Sequence, residues 1–177
     1  YSLNMSIVRS SGKDKLTFHR DDRNPPSTSN EICNLQFALA LDHSNKKNGC
    51  TLCVPKSHRY NSYVKNISKY KKHYFEMNPG DLLIFDGRLW HSALKNKNGQ
   101  DRWKFFFGYA RWHIKQTYDY TKLIDKKILK NIKENEKLIL GFHSITKVND
   151  NKVYGSGQRG NIAYARDNYK QQIKSVK

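Results

Sequence analysis

A run of short apolar segments separated by polar turn signals, from residue 1 to about 111, constrains the fold most. Ile32 to Leu41 is the most apolar of these segments, and Asn48-Gly49, Asn78-Pro79-Gly80-Asp81 and Asn98-Gly99 mark turns. Many short strands with regularly spaced turns are typical of a barrel or a jelly roll. We therefore predict a mainly β core.

The turn signals also predict which segments pair as antiparallel hairpins. These hairpins would join 3–8 to 15–19, 74–77 to 82–85, and 90–94 to 103–112. Beyond residue 115 the pattern changes, because apolar residues over 120–140 recur at helical spacing among many lysines. We expect a core over 1–115 and a C-terminal extension over 116–177, made of a helix and a loop at 146–161 and packed on that core.

Length and charge limit the number of domains and the kinds of partner that this chain can have. A chain of 177 residues suits one domain with a real core. Its net charge is +18, which mildly favours an anionic small molecule. The lysines are scattered rather than gathered in a stripe, which argues against a nucleic-acid partner.

No apolar run is long enough to span a membrane, and no signal peptide is recognisable at the start. We expect a cytoplasmic location, and the sequence carries no signal for oligomeric state.

Two distant fragments carry the chemistry. The first is Phe18-His19-Arg20-Asp21, and the second contains His91 after Trp90. Residues two apart in a strand project from the same face, so His19 and Asp21 could reach one cation, with His91 as a third ligand. Two histidines and one carboxylate form the ligand set of non-haem Fe(II) oxygenases. Taken singly, His19 is also explained as a surface histidine and His91 as a hydrogen-bonded core residue.

Arg102 is the candidate for holding a carboxylate. If Asn98-Gly99 is a hairpin turn, Arg102 shares a face with His91 and lies roughly 13 Å along the sheet. A dicarboxylate bound to the metal at one end could then reach the guanidinium, whose planar fork binds carboxylates bidentately. The alternative is a surface arginine paired with Asp81 or Asp101.

Gln36 is a further candidate. It shares a face of its segment with Ala38 and Ala40, a small and polar face that suggests a pocket lining. We predict that Gln36 contacts a co-substrate or substrate, with a hydrogen-bonded core glutamine as the alternative.

At these residues the chain resembles the phytanoyl-CoA dioxygenase family of Fe(II)/2-oxoglutarate oxygenases over about 1–112. The resemblance is carried by Phe18 to Asp21, Asn48 to Leu52, Val54-Pro55-Lys56-Ser57-His58-Arg59, Gly80-Asp81, His91 to Asn96 and Arg102. It implies a double-stranded β-helix, a jelly roll of the cupin-like kind. It also implies that His19, Asp21 and His91 hold iron and that Arg102 anchors the distal carboxylate of 2-oxoglutarate.

The departures from the family pattern are also informative. The serine often found two places after the distal histidine is Ala93 here, which leaves neighbouring Ser92 as the candidate hydroxyl for 2-oxoglutarate. Lys56 stands where a glycine is usual. The resemblance implies a helical N-terminal part of the family domain, which we expect to be missing from this chain. Halogenating relatives have Ala or Gly in place of the carboxylate, so Asp21 favours hydroxylation.

These features predict a 2-oxoglutarate-dependent dioxygenase that hydroxylates a small molecule and converts 2-oxoglutarate to succinate. A basic jelly-roll module that binds nucleic acid or an anionic ligand without turnover is the alternative. Repair of alkylated nucleic acid is disfavoured, because those relatives have a longer gap between the distal histidine and the arginine than His91 to Arg102.

Overall fold

Seven strands form two sheets within the described part of the chain. The structure is a computed structural model that describes residues 2–10, 16–22, 31–60, 62–111, 114 and 116–142. The strands are β1 (Ser2–Ser10), β2 (Asn34–Ala40), β3 (Thr51–Cys53), β4 (His73–Phe75), β5 (Leu82–Asp86), β6 (His91–Ala93) and β7 (Arg102–Ala110). The larger sheet has the order β1-β7-β2-β5, and the smaller has the order β4-β3-β6.

Strand β2 lies inside the larger sheet, antiparallel to both β5 and β7. Its side chains alternate between two environments, as expected for a strand with one buried face. Ala38 and Ala40 are 0% and 1% exposed, whereas Phe37 and Leu39 lie half-buried on the opposite face. Small side chains on the inner face leave room for longer ones from the neighbouring strands.

The two sheets face each other across the core. The ring of Phe85 on β5 lies 4.8 Å from the ring of His91 on β6. Lys104 on β7 donates from Nζ to Thr51 Oγ1 on β3 at 2.9 Å. Strands that roll into two facing antiparallel sheets form a jelly roll, which confirms the predicted mainly β, cupin-like fold.

Two of the three predicted hairpins are wrong. Strands β4 and β5 lie in different sheets, and so do β6 and β7. In a roll, successive turns carry the chain from one sheet to the other, so a turn signal need not join paired strands. The turn itself is present after β4, where Asp81 N–H donates to Asn78 O at 3.0 Å and Gly80 has a φ of 91°. The hairpin joining 3–8 to 15–19 lies partly outside the described residues, and β1 is next to β7.

The single helix predicted over 120–140 is also wrong. The described residues form α1 (Tyr120–Leu123), α2 (Lys126–Leu129) and α3 (Glu134–Ile139). The Asp125 carboxylate accepts the Lys127 N–H at 2.6 Å, and the Glu136 carboxylate accepts the Lys133 N–H at 2.8 Å. Such local bonds begin new helical turns and interrupt a continuous helix.

The chain divides into two compact units, one of residues 4–113 and one of Tyr1–Leu3 with Ile114–Lys177. The predicted packing of the extension on the core stays a prediction, and the predicted loop at 146–161 lies outside the described residues. None of the helices that the structure describes has the length and apolar character needed to cross a membrane.

Candidate metal centre

A pair of backbone hydrogen bonds places two distant histidines side by side. His19 N–H donates to His91 O at 2.9 Å, and His91 N–H donates to His19 O at 3.0 Å. This bridge joins the segment 16–22 to the first residue of β6 and brings the two ring centroids to 4.3 Å. The backbone itself therefore positions both imidazoles.

Asp21 lies between the two imidazoles. Its backbone N–H donates to Gly87 O at 2.9 Å, which ties the segment to the turn before β6. Its carboxylate Oδ1 is 3.4 Å from His19 Nε2, and Oδ2 is 3.5 Å from His91 Nε2. One ligand atom from each of the three residues lies within 4.8 Å of the other two. The structure therefore brings together the three residues that the sequence pattern singles out.

Each imidazole presents the same nitrogen to the cluster. His19 Nδ1 lies 2.8 Å from Thr17 O, and His91 Nδ1 lies 2.9 Å from Leu89 O. A carbonyl oxygen only accepts, so each Nδ1 carries the proton and donates it. The neutral tautomer then has its lone pair on Nε2, the atom nearest Asp21. Metal-binding histidines are commonly held by such a bond from the other ring nitrogen.

The cluster has the chemistry and spacing of a divalent-metal site. Ligand atoms about 2.1 Å from one cation and at right angles to each other are separated by roughly 3 Å. The distances of 3.4 and 3.5 Å between the Asp21 oxygens and the imidazole nitrogens are slightly longer than this. The His91 side chain is 7% exposed, whereas His19 is 34% and Asp21 28% exposed. The cluster is therefore closed on the His91 side and open on the other.

The Asp21 carboxylate and burial shift the pKa values of the two histidines in opposite directions. The hydrogen bond from His19 to Asp21 raises the pKa of His19 above its usual 6.5. Burial lowers the pKa of His91, and the Asp21 charge opposes this only in part. The lowered pKa favours the neutral form of His91, which offers the lone pair of Nε2 to a cation. The Asp21 carboxylate attracts positive charge to the open side of the cluster.

Arg102 is engaged elsewhere in this structure. Its side chain is buried, with Nε donating to Asn48 O at 3.1 Å and Nη2 donating to Gly49 O at 2.9 Å. Because β6 and β7 belong to different sheets, the register that placed Arg102 on one sheet face with His91 does not occur. Its contact with 2-oxoglutarate stays a prediction.

Gln36 and Ser92 occupy different surroundings. Gln36 donates from Nε2 to Asn34 Oδ1 at 3.1 Å and packs on Gly108, where a Cβ would lie 2.8 Å from Gln36 Oε1. Ser92 points to the opposite face of β6 from His91, since neighbours in a strand alternate, and its hydroxyl donates to Leu16 O. Their predicted roles toward 2-oxoglutarate stay predictions.

Sequence reasoning missed several residues around the cluster. Ser57 Oγ accepts the buried Trp90 N–H at 2.8 Å and so helps to position the start of β6. Phe85 packs against His91, and Lys104 lies buried between the sheets. Two of these residues had a signal in the sequence: Ser57 lies in the Val54 to Arg59 motif, and Lys104 falls at the same alternating positions of β7 as Arg102.

The fold and the cluster together define a class: jelly-roll proteins with a 2-His-1-carboxylate centre, as in non-haem iron oxygenases. The phytanoyl-CoA dioxygenase (PhyH) family matches residues 2–103, more than half of the chain. The chain belongs to this family. The predicted cofactors, Fe(II) and 2-oxoglutarate, are those of this class of enzyme. The cofactor prediction is therefore confirmed for the class.

Two curated proteins are similar to this chain. An uncharacterized protein of Mycobacterium tuberculosis is 28% identical over 80% of this chain and 54% of its own length. Dioxygenase andF of Emericella variicolor is 27% identical over 72% of this chain and 44% of its own length. The chain thus spans about half the length of the curated relatives it matches.

Solved structures share the fold. AviO1 of Streptomyces viridochromogenes aligns with a TM-score of 0.51 and 22% identity, covering 61% of this chain and 51% of AviO1. SnoK, a non-heme alpha ketoglutarate dependent carbocyclase from nogalamycin biosynthesis, aligns with a TM-score of 0.50 and 20% identity. That alignment covers 60% of this chain and 47% of SnoK. These alignments support the fold. Because the sequence identity is low, the activity has to be argued from the residues of the site.

Proposed function

We propose that this chain holds the iron centre of a 2-oxoglutarate-dependent oxygenase that hydroxylates a small molecule. His19, Asp21 and His91 are the proposed iron ligands. The observation that carries this proposal is the convergence of two Nε2 atoms and one carboxylate within 4.8 Å. Two imidazole nitrogens and one hard carboxylate suit Fe(II) and leave other positions of an octahedral ion for co-substrate and dioxygen.

Bound Fe(II) and 2-oxoglutarate would supply dioxygen activation, coupled to oxidative decarboxylation of 2-oxoglutarate to succinate and carbon dioxide. The protein holds the ligands and shields one side of the centre. Carbonyls of Thr17 and Leu89 fix the imidazole orientations, and Phe85 covers His91 on the interior side. The exposed edge of His19 and Asp21 is the side on which a substrate would approach.

Asp21 supports hydroxylation as the outcome. It occupies the position at which, by resemblance, halogenating relatives have a small residue. Its two oxygens reach toward both imidazoles, so it has the placement of a ligand rather than of a surface carboxylate. We therefore propose transfer of a hydroxyl group to the substrate.

The substrate class is a small molecule, with an anionic one favoured. SnoK acts in nogalamycin biosynthesis, which is the assembly of a small molecule. The net charge of +18 would attract an anionic substrate at low ionic strength. Binding of an anion without turnover is the competing function, and the production of succinate separates the two.

The test is anaerobic titration with Fe(II) and 2-oxoglutarate, followed by exposure to oxygen and measurement of succinate. We expect a weak visible charge-transfer band and slow succinate production without substrate. His91→Ala should abolish both. The matched control is His43→Ala, because His43 is exposed and outside the cluster. Wild-type protein that gives neither band nor succinate, or a band that persists in His91→Ala, would contradict the proposal.

A further inference from the structure

The tryptophan that precedes His91 is held by a side chain where a backbone partner is usual. In the antiparallel pair of β3 and β6, Cys53 is the register partner of His91, so the next pair outward is Val54 with Trp90. Val54 N–H donates to Trp90 O at 2.9 Å, as a regular ladder requires. The return bond differs, because Trp90 N–H donates to Ser57 Oγ at 2.8 Å. The hydroxyl of Ser57 therefore extends the ladder by one bond.

A tight turn brings Ser57 to this position. Ser57 N–H donates to Val54 O at 3.2 Å, which occupies the carbonyl that Trp90 would otherwise bond. Pro55 and Lys56 form the centre of the turn, and Lys56 has a φ of 66° and a ψ of 3°. These angles are those of the third residue of a type II turn, where glycine is preferred and lysine is strained. The fold retains this unfavourable conformation in the turn that places the hydroxyl beside Trp90.

Both partners of this bond are shielded from water. Ser57 is 0% exposed and Trp90 is 1% exposed. The rings of Tyr60 and Tyr70 pack on the Trp90 indole, with centroids 5.3 and 5.5 Å away. A buried N–H that loses its acceptor is costly until the backbone shifts to find another. Removal of the Ser57 hydroxyl should therefore displace the backbone at Trp90.

Trp90 lies between His91 and the carbonyl group that orients its imidazole. His91 Nδ1 donates to Leu89 O at 2.9 Å, which leaves Nε2 facing Asp21. A shift of the backbone at Trp90 would move the histidine and this carbonyl relative to each other. Loss of a group that orients a metal-binding histidine commonly lowers metal affinity by about 10- to 100-fold. The Ser57 hydroxyl acts through the backbone, one step further away, so we expect an effect near the lower figure.

We propose that Ser57 is a positioning residue of the candidate metal centre. By accepting the Trp90 N–H, it fixes the start of β6 and with it the direction in which His91 Nε2 points. This inference rests on the proposed function, because it treats His91 as a metal ligand. It also gives the strained turn at Lys56 a role, which is to place a buried hydroxyl where the ladder between β3 and β6 ends.

The test compares two buried serines by calorimetry with Mn(II) and by the visible spectrum of bound Co(II). In Ser57→Ala, the affinity for Mn(II) should fall about 10-fold, and the Co(II) bands, which report ligand geometry, should shift. Ser44→Ala is the matched control and should match wild type in both measurements. Ser44 is also 0% exposed, and its hydroxyl has no hydrogen-bond partner among the residues that the structure describes.

Lys56→Gly separates positioning from folding. Glycine adopts the left-handed conformation without strain, so this variant should unfold at a higher temperature and bind Mn(II) as wild type does. Combined with Ser57→Ala, it offsets the lost stability. The double variant therefore gives the metal affinity should Ser57→Ala alone fail to fold, and that affinity should still be about 10-fold weaker.

The outcomes separate this inference from the proposed function. Mn(II) affinity and Co(II) bands equal to wild type in a folded variant that carries Ser57→Ala overturn the role of Ser57 and leave the metal centre intact. An equal loss of affinity in Ser44→Ala overturns that role as well, because the effect would then follow from the removal of any buried hydroxyl. Wild-type protein that binds no Mn(II) overturns the proposed function, and this inference with it.

Discussion

Both histidines of the candidate metal centre make the same local contact at the residue scale. Each Nδ1 donates to the carbonyl oxygen two residues earlier, that of Thr17 for His19 and that of Leu89 for His91. A cation would therefore meet preset ligands, with little side-chain entropy left to lose on binding.

Lys104 makes a testable contribution to the stability of the ligand-free protein. Its pKa is lowered from 10.5 to about 8, mainly by burial. Between these pH values the folded state binds fewer protons than the unfolded state, so the free energy of unfolding rises with pH there. At pH 7 the amine is charged in both states and the folded state bears the desolvation cost. Lys104→Met should therefore be more stable than wild type at pH 7, by roughly 1–3 kcal/mol.

Urea unfolding at pH 7 and at pH 10 would measure this. The advantage of Lys104→Met should shrink at the higher pH, where the wild-type amine is neutral in the folded state. Burial raises the pKa of the thiols of Cys50 and Cys53, so these groups give the opposite slope over this interval. Both thiols are present in both proteins, so the difference between Lys104→Met and wild type reports on Lys104. A Lys104→Met protein less stable than wild type at pH 7 would show that the amine is paired in the ligand-free state.

At the scale of elements, local patterns predicted the strands but not their partners. The apolar alternation of β2 and the turn at Asn78 to Asp81 are visible in the sequence, because both depend on neighbouring residues. The placement of β6 and β7 in different sheets depends on how the whole roll closes, which a two-residue turn signal does not encode. The same limit explains the site: His19, Asp21 and His91 form a recognisable motif, whereas the contact of Lys104 with Thr51 needs the closed roll.

Gly49 is an element-scale position at which substitution should be costly. It has a φ of 88°, and an added Cβ would lie 2.7 Å from Leu94 O. Gly49→Ala should lose roughly 2–4 kcal/mol, from left-handed backbone strain together with the backbone clash. The carbonyl of Gly49 also accepts from Arg102, so the loss should disturb that contact.

Gly99→Ala is the matched control. Gly99 has a φ of 72°, but nothing lies within 4 Å of the added Cβ. The cost should therefore be only the backbone term, about 1 kcal/mol. Thermal and urea unfolding of both variants would measure the difference. Equal losses would mean that the contact with Leu94 relaxes and that backbone conformation alone decides the cost.

At the scale of the whole molecule, the outer face of the larger sheet is apolar and partly uncovered. Phe37 and Phe107 stack on it with centroids 4.8 Å apart, and Tyr109 meets Phe37 edge-on. Leu82 and Ile84 on the terminal strand β5 are 47% and 54% exposed. Exposed apolar side chains on an edge strand promote self-association, and β5 is at the edge of the larger sheet formed by the residues that the structure describes.

Ile84→Lys should therefore reduce association of this chain at high concentration without affecting the candidate metal centre. Ile84 pairs with Phe37 and alternates with Phe85, so its side chain points away from the interior where Phe85 meets His91. A lysine there places a charge on the edge and opposes pairing with a second copy.

Sedimentation velocity over a concentration series would measure association, and Mn(II) calorimetry would show that the site is intact. Ile128→Lys, which alters an exposed isoleucine on α2, should leave association unchanged. Association equal to wild type in Ile84→Lys would mean that this face does not drive it.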